Sequence, residues 1–334
     1  MTWEELDWTA LERFRELFLR GSAVAEPYWK TPADLASYDF TYGERIGWKW
    51  DHVLRELHAR KWRPTSRTVL DWGCGSGIAA RRVISFFGAE NFDSLDVWDH
   101  SPLACDFAAA AAQNAFPQLS VAHATPGLLN STEPVGLLVV SHVLNELTPG
   151  HLTTLLGLIA RAEAVLWVEP GTHVVSRALG KIRDETRERF RIVGPCTHAN
   201  ACPILQPDNE RHWCHHFAPP PGEIFADPNW VKFGQRAGID LRSLPYAFIA
   251  LDRSAASPTD TEAISRIIGR PEHFKPYARV LNCDATGLAE LELPKRADPA
   301  LFKQLDRTKA PLVYRWQRDG TKILGGELIS ARES

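Results

Sequence analysis

Asp71-Trp72-Gly73-Cys74-Gly75-Ser76-Gly77 directly follows the apolar run Thr68-Val69-Leu70 and precedes Ile78-Ala79-Ala80-Arg81-Arg82-Val83-Ile84. That order predicts a short buried strand, a tight glycine turn and a helix. Glycines at such a corner let the backbone bend and approach a ligand without a Cβ clash. The acid at the strand end argues against a phosphate cradle. It suits the ammonium or hydroxyl groups of S-adenosylmethionine (SAM). A second acid, Asp99 in Val97-Trp98-Asp99-His100-Ser101, ends the next apolar run. It lies about 20 residues past the last glycine, where folds of this kind grip ribose hydroxyls. Asp71, Gly73, Gly75, Gly77 and Asp99 are therefore the expected cofactor-binding residues.

Working outward, residues 66–170 alternate apolar runs and helical patterns. Strands are expected at 68–71, 93–98, 119–122, 136–140 and 164–168, with helices near 77–87, 102–115 and 149–161. This is the rhythm of a parallel sheet with right-handed crossovers. Leu137-Leu138-Val139-Val140 and Val165-Leu166-Trp167-Val168 are continuous apolar runs, as strands buried on both faces require. The expected fold is α/β: a doubly wound, mainly parallel, Rossmann-like sheet of the class I methyltransferase type. Leu11, Phe14, Phe18, Ile46, Trp50, Val53, Leu54 and Leu57 recur at helical spacing, predicting an N-terminal helical cap over residues 1–65. A further helix is expected over 177–191, and sheet structure resumes near 245–251. Residues 254–262 read as a polar Ser/Thr/Pro loop.

The 334-residue chain is 44% hydrophobic and 24% charged, which are globular values. No apolar run approaches the roughly 18 residues of a membrane span. The start, Met1-Thr2-Trp3-Glu4-Glu5-Leu6, is acidic and carries no signal or transit pattern, so a cytoplasmic, bacterial-type setting is expected. Net charge is −3, yet Lys295–Lys322 holds eight Lys/Arg against three Asp, and Arg177–Arg191 holds six basic against three acidic residues. Either stretch offers contacts to RNA phosphates; the second reads equally well as a solvated, ion-paired helix face.

Residues 194–222 break the pattern, with six Pro, three Cys and four His. So long an irregular stretch needs another source of order. Cys196, Cys202 and Cys214 lie within it, and Cys283 follows in Asn282-Cys283-Asp284. Thiols in a chain without a secretion signal point to metal ligation, and a metal would supply the folding energy the loop lacks. Four Cys can hold a 4Fe–4S cluster, and Cys with His198, His212, His215 or His216 can hold zinc. The spacing, five residues and then eleven, fits no short zinc template and favours the cluster. Cys74 and Cys105 read as small buried residues.

The fourth strand is expected to run into Ser141-His142-Val143-Leu144-Asn145-Glu146-Leu147. An Asn/Asp-Pro-Pro-aromatic motif for amino methylation is absent there, as is a Pro-Cys nucleophile. His142 and Glu146 are the candidate general bases; as structural residues, His142 would pack at the strand end and Glu146 would cap the next helix.

Taken together, Asp71-x-Gly73-x-Gly75-x-Gly77, Ser141-His142-x-Leu144-x-Glu146-Leu147, Val168-Glu169-Pro170-Gly171-Thr172, Pro195-Cys196-x-His198, Cys202-Pro203, Trp213-Cys214-His215-x-Phe217, Tyr246-x-Phe248 and Cys283-x-x-x-Gly287 resemble the mitochondrial-type small ribosomal subunit methyltransferase-like family, which has bacterial relatives. The likeness spans roughly residues 40–290. It implies a class I methyltransferase fold, SAM, and a 4Fe–4S cluster on Cys196, Cys202, Cys214 and Cys283. It also implies association with the small ribosomal subunit or its rRNA, and a mitochondrial-matrix setting for eukaryotic relatives. Tyr314-Arg315-Trp316-Gln317-Arg318 matches the family's basic ending only loosely. The segmentation expected is a helical region 1–65, a SAM-binding domain 66–193 plus 223–253, a Cys-rich metal region 194–222 plus 277–290, and a basic region 291–334, in a chain monomeric off the ribosome. Two alternatives are a non-catalytic ribosome-assembly factor with a vestigial methyltransferase fold and a zinc-containing small-molecule methyltransferase.

Overall fold

Ser or Thr followed by Pro opens four helices in the first half of the chain. The side chains of Thr31, Ser101, Thr125 and Thr148 each accept from a backbone amide in the first turn. Each following Pro occupies a position whose amide would have had no partner. A computed structural model describes residues 1–20, 28–254, 264–307 and 310–329. In chain order it holds α1 (Trp8–Arg20), α2 (Pro32–Tyr38), α3 (Glu44–Ala59), β1 (Thr68–Trp72), α4 (Ile78–Phe87), β2 (Ser94–Trp98), α5 (Pro102–Ala115), β3 (Ser120–His123), α6 (Pro126–Asn130), β4 (Val135–Ser141), α7 (Pro149–Arg161) and β5 (Ala162–Pro170). There follow α8 (His173–Thr186), β6 (Arg191–Gly194), β7 (His216–Ala218), α9 (Pro228–Ala237), β8 (Leu244–Asp252), β9 (Ile264–His273), β10 (Tyr277–Asp284), β11 (Gly287–Pro294), α10 (Pro299–Arg307), β12 (Val313–Asp319) and β13 (Lys322–Leu328). Apart from Ser254, the expected loop 254–262 lies outside the described residues.

The first compact unit comprises Met1–Leu54, Arg63–Val168 and Pro219–Leu244. Its sheet runs β3-β2-β1-β4-β5, with every neighbouring pair parallel. The apolar runs of β4 and β5 are fully buried, as their unbroken hydrophobicity requires. The strand order reverses beside β1, placing the glycine turn at the switch point where open α/β sheets bind ligands. The expected α/β class and parallel core are what the chain adopts.

The second unit comprises Arg55–Trp62, Glu169–Ala218 and Pro245–Ser334. In it β6 runs antiparallel to β8, and β7 also pairs with β8. The helix expected over 177–191 is instead α8, four residues earlier at its start. Thr172 stands at its N-cap, and Arg191–Gly194 leaves the helix to become β6. Strands β9 to β13 close a barrel in the order β10-β11-β13-β12-β9. Its core is Ile267, Ala278, Val280, Leu291, Leu293, Tyr314 and Ile323, with Leu301 and Leu305 of α10 against them. The compact units cut the chain differently from the segmentation expected from composition, because 277–290 and 291–328 belong to this one barrel. Alternation of buried with more exposed residues is confined to parts of its strands, such as Tyr277–Leu281 and Lys322–Gly325, and β9 buries five residues in a row, so no sustained period marks the barrel.

Among the described residues, no helix is long and apolar enough to cross a membrane.

Candidate functional site

Gly73, Gly75 and Gly77 all have positive φ, between 51° and 76°. A Cβ on Gly73 would meet Val143 Cγ1 at 2.5 Å, and one on Gly77 would meet Ala108 Cβ of α5 at 2.9 Å. The turn is thus compressed as well as left-handed, which explains why three glycines sit there. Gly77→Ala is expected to cost about 1–3 kcal/mol from strain and overpacking. Thermal unfolding checks this, and an unchanged midpoint would contradict it.

Asp71, next to last in β1, is fully buried, and neither carboxylate oxygen has a side-chain hydrogen-bond partner. Burial pushes its pKa up to about 7; the Ala80 amide pulls the other way and Asp99 adds to the rise. An unpaired buried carboxylate is costly, and a cationic group beside the turn would relieve that cost. Asp99 is differently engaged. Its Oδ2 accepts from Gly75 N at 3.0 Å and its Oδ1 from Ser101 N at 2.9 Å, so it braces the glycine turn. His100 Nδ1 lies 3.2 Å from Oδ1. Oδ2, with Gly75 N as its one partner, retains lone-pair capacity for a hydroxyl donor. Cys74 and Cys105 are buried as expected, and the Cys105 sulfur accepts from Asp99 N at 3.1 Å.

The segment after β4 holds His142 and Glu146. His142 is a non-glycine residue with φ 57°. Its Nε2 lies 3.1 Å from Lys49 Nζ and its Nδ1 3.2 Å from Ser141 Oγ, which accepts from Trp50 Nε1. Burial first, then Lys49 and Arg45, hold its pKa well below the usual histidine value. A neutral ring engaged at both nitrogens is a packed strand-end group and a poor base. Glu146 differs: burial and then Asp99 push its pKa up to about 7, against His100 and Tyr28. The Tyr28 hydroxyl donates to Glu146 Oε2 at 3.4 Å. Tyr28 was not foreseen, because nothing in its local sequence ties it to the strand ends.

In the second unit, Cys202, Ile204, Ile268 and Cys283 form one buried cluster, with Cys214 packed against it. Burial pushes the Cys202 thiol up to about 11, with Cys196 next in effect. Cys214 and Cys283 are also raised, by burial and then by the neighbouring thiols, Cys196 first. All four sulfurs therefore lie within one another's electrostatic reach. His216 Nε2 lies 3.7 Å from Cys214 Sγ and His198 Nε2 3.7 Å from Cys283 Sγ. His215 instead stacks on Trp213, and His212 accepts from Arg211. Among the described residues, no three Cys, His, Asp or Glu side chains converge as ligands of a single metal ion.

Residues 50–299, 250 of 334, match the family described as mitochondrial small ribosomal subunit Rsm22. The chain belongs to the Rsm22 family. It is also similar to a SAM-dependent methyltransferase from Aquifex aeolicus, at 15% identity over 50% of this chain and 92% of that one, TM-score 0.37. A second likeness is to magnesium protoporphyrin IX methyltransferase from Synechocystis with bound S-adenosylhomocysteine, at 14% identity over 74% and 95%, TM-score 0.37. At such scores these likenesses add nothing to the strand order and register described above.

The irregular segment is ordered by arginine–carbonyl hydrogen bonds that composition did not reveal. Arg60 donates to the carbonyls of Val193, Pro195 and Cys196. Arg177 donates to those of Ile204, Asn209 and His212. Arg183, 2% exposed, donates to His198 O and Asn200 O and pairs with Asp184 at 2.7 Å. Arg177 and Arg183 thus face protein carbonyls, which removes them from the RNA-contacting reading of 177–191. The missed signal was a run of cations beside a loop rich in unpaired carbonyls. Arg183→Met is expected to cost about 3 kcal/mol, since it removes the ion pair with Asp184 and the donor shared by the His198 and Asn200 carbonyls. Chemical denaturation measures the loss; a cost below about 1 kcal/mol would contradict the buried-clamp role.

Proposed function

We propose that this chain is a SAM-binding, 4Fe–4S-containing, methyltransferase-like protein that acts on the small ribosomal subunit or its rRNA during assembly or translation. It is monomeric away from the subunit and works in the cytoplasm of a bacterial-type cell. The observation that carries the reading is the mutual proximity of Cys196, Cys202, Cys214 and Cys283 in a chain of the Rsm22 family. The unpartnered Asp71 carboxylate at a left-handed glycine turn supports SAM independently.

When bound, SAM supplies an activated methyl group, and the cluster supplies iron–thiolate bonds tying residues 196–214 to β10. The chain's residues do the rest. Asp71 holds the cofactor's ammonium, Asp99 its ribose hydroxyls, and the glycines admit it to the backbone. Cys202, Cys214 and Cys283 suit the cluster because burial and mutual repulsion disfavour their free thiolates, while cationic iron favours them. Arg183 lies near Cys196 and Cys202, and Arg266 near Cys214, so buried cations offset thiolate charge.

Glu146, with its pKa near 7, can exchange a proton near neutrality. If it takes a substrate proton, turnover rises with pH through about 7, and Glu146→Gln lowers kcat at least 100-fold with SAM affinity retained. The second reading, an assembly factor without turnover, is favoured by the engaged His142 and by Tyr28 covering Glu146. Co-sedimentation with purified small subunits, paired with SAM calorimetry, tests the function. Binding to both is expected; failure to sediment with the subunit would overturn the ribosomal reading.

A further inference from the structure

The barrel of the second unit has a recognisable connectivity. Counted from β9, its strands close in the order 1-2-3-5-4, with α10 between the third and fourth. The β11–β13 pair is parallel, and the other neighbouring pairs are antiparallel. This is the oligonucleotide/oligosaccharide-binding arrangement, whose ligands lie across strands 2 and 3 and the loops beside them. A fold alone assigns no ligand, so the side chains decide.

Much of the strand 2–3 face is already taken. Leu281 and Cys283 of β10 and Leu288 of β11 pack with Cys202, Ile204, Leu205 and Cys214. Arg211 reaches Glu290 at 3.4 Å. The other end of that face, at the β9–β10 hairpin, is open. Phe274 stands there 40% exposed. Its ring stacks on Tyr277 with centroids 4.8 Å apart and planes 23° from parallel. The Arg279 guanidinium lies 5.4 Å from the Phe274 centroid and 5.8 Å from that of Tyr277, and donates to the Tyr277 hydroxyl at 3.3 Å. Lys295 N donates to Pro276 O at 2.9 Å, fixing the 295–297 turn beside the tip.

Charge follows the same geography. Residues 264–329 carry twelve Lys/Arg against eight Asp/Glu, an excess of four in a chain whose net charge is −3. Lys275 and Arg296 are exposed and make no ion pair among the described residues. Glu272 and Glu292 near the tip are occupied with Arg279, at 4.0 and 3.5 Å.

We propose that the β9–β10 hairpin tip is a landing site for unpaired RNA, with bases stacking on Phe274 and Tyr277 and phosphates meeting Lys275, Lys295 and Arg296. Stacking on an aromatic pair needs splayed bases, which duplex RNA does not offer. The proposal deepens the ribosomal function above and rests on that reading.

The test uses the full chain and a fluorescent single-stranded RNA 12-mer of mixed A and U, a hairpin duplex of the same length, and an abasic 12-mer. The single strand is expected to bind at least tenfold tighter than either control. Phe274→Ala and Tyr277→Ala should each weaken it about tenfold, with Phe274→Trp restoring affinity. Lys275→Glu should weaken it and reduce the salt slope by about one. Lys275 is exposed, so that variant remains informative if an aromatic variant fails to fold. Equal binding of duplex and single strand would overturn the proposal. So would unchanged binding by the aromatic variants, or equal competition by a polyglutamate peptide. If wild type sediments with small subunits but ignores the 12-mer, the hairpin proposal falls and the ribosomal reading stands. If it does neither, the ribosomal reading falls.

Discussion

Replacing any one of Cys196, Cys202, Cys214 or Cys283 by Ser is expected to remove the visible chromophore and most of the iron. The same change should lower the unfolding temperature of the second unit by about 10 °C, corresponding to roughly 3–4 kcal/mol for a unit of this size. The loop containing the first three cysteines has little regular structure to hold it. Between β6 and β7 it contains two short 3₁₀ turns, Pro203–Leu205 and Pro207–Asn209. The arginine–carbonyl clamps order it in part, and on the proposed reading the cluster would supply the rest. Cys283 is the informative member, because it sits on β10, which the barrel orders independently. Cys283→Ser should therefore lose iron while the barrel stays folded. Full iron content in that variant would remove Cys283 from the ligand set. Cys74→Ser and Cys105→Ser, in the other unit, are the controls and should leave iron unchanged.

The second large effect is at Asp71. Its pKa, raised by burial to about 7, stands far above the 3.9 or so of a free aspartate. In the unliganded protein the side chain is protonated below about pH 7. Its contribution to stability is fully present below the unfolded value and is lost as pH rises through about 7. A bound ammonium has the opposite preference, for the carboxylate. SAM affinity should therefore rise as pH rises toward 7, and binding at pH 6 should release close to one proton. Calorimetry in two buffers of different ionisation enthalpy reads that proton directly. Asp71→Asn should abolish the release and weaken SAM at least 100-fold, equivalent to about 2.8 kcal/mol. Unaltered affinity in that variant would show that Asp71 does not hold the cofactor.

The sheet was legible because its signals are local. Continuous apolar runs mark β4 and β5, and Ser/Thr-Pro pairs mark the starts of α5 and α7. The glycine turn was legible because positive φ leaves few residue choices. The barrel was not, since β9 to β13 carry no sustained period and are brought together by contacts far apart in sequence, such as Val313 opposite Arg266. The clamping role of Arg60, Arg177 and Arg183 was hidden for the same reason, as their acceptors are carbonyls, which carry no residue identity. Tyr28 on Glu146 joins positions 118 apart. The cysteines stood out as a set, but only the folded chain shows three of them sharing one buried cluster.

The most direct measurement is anaerobic purification followed by an absorption spectrum and iron, sulfide and zinc analysis of the same sample. A broad visible band with about four irons and four sulfides per chain is the result expected for a cluster on four thiolates. Stoichiometric zinc in a colourless protein would contradict the account and favour the zinc-containing methyltransferase.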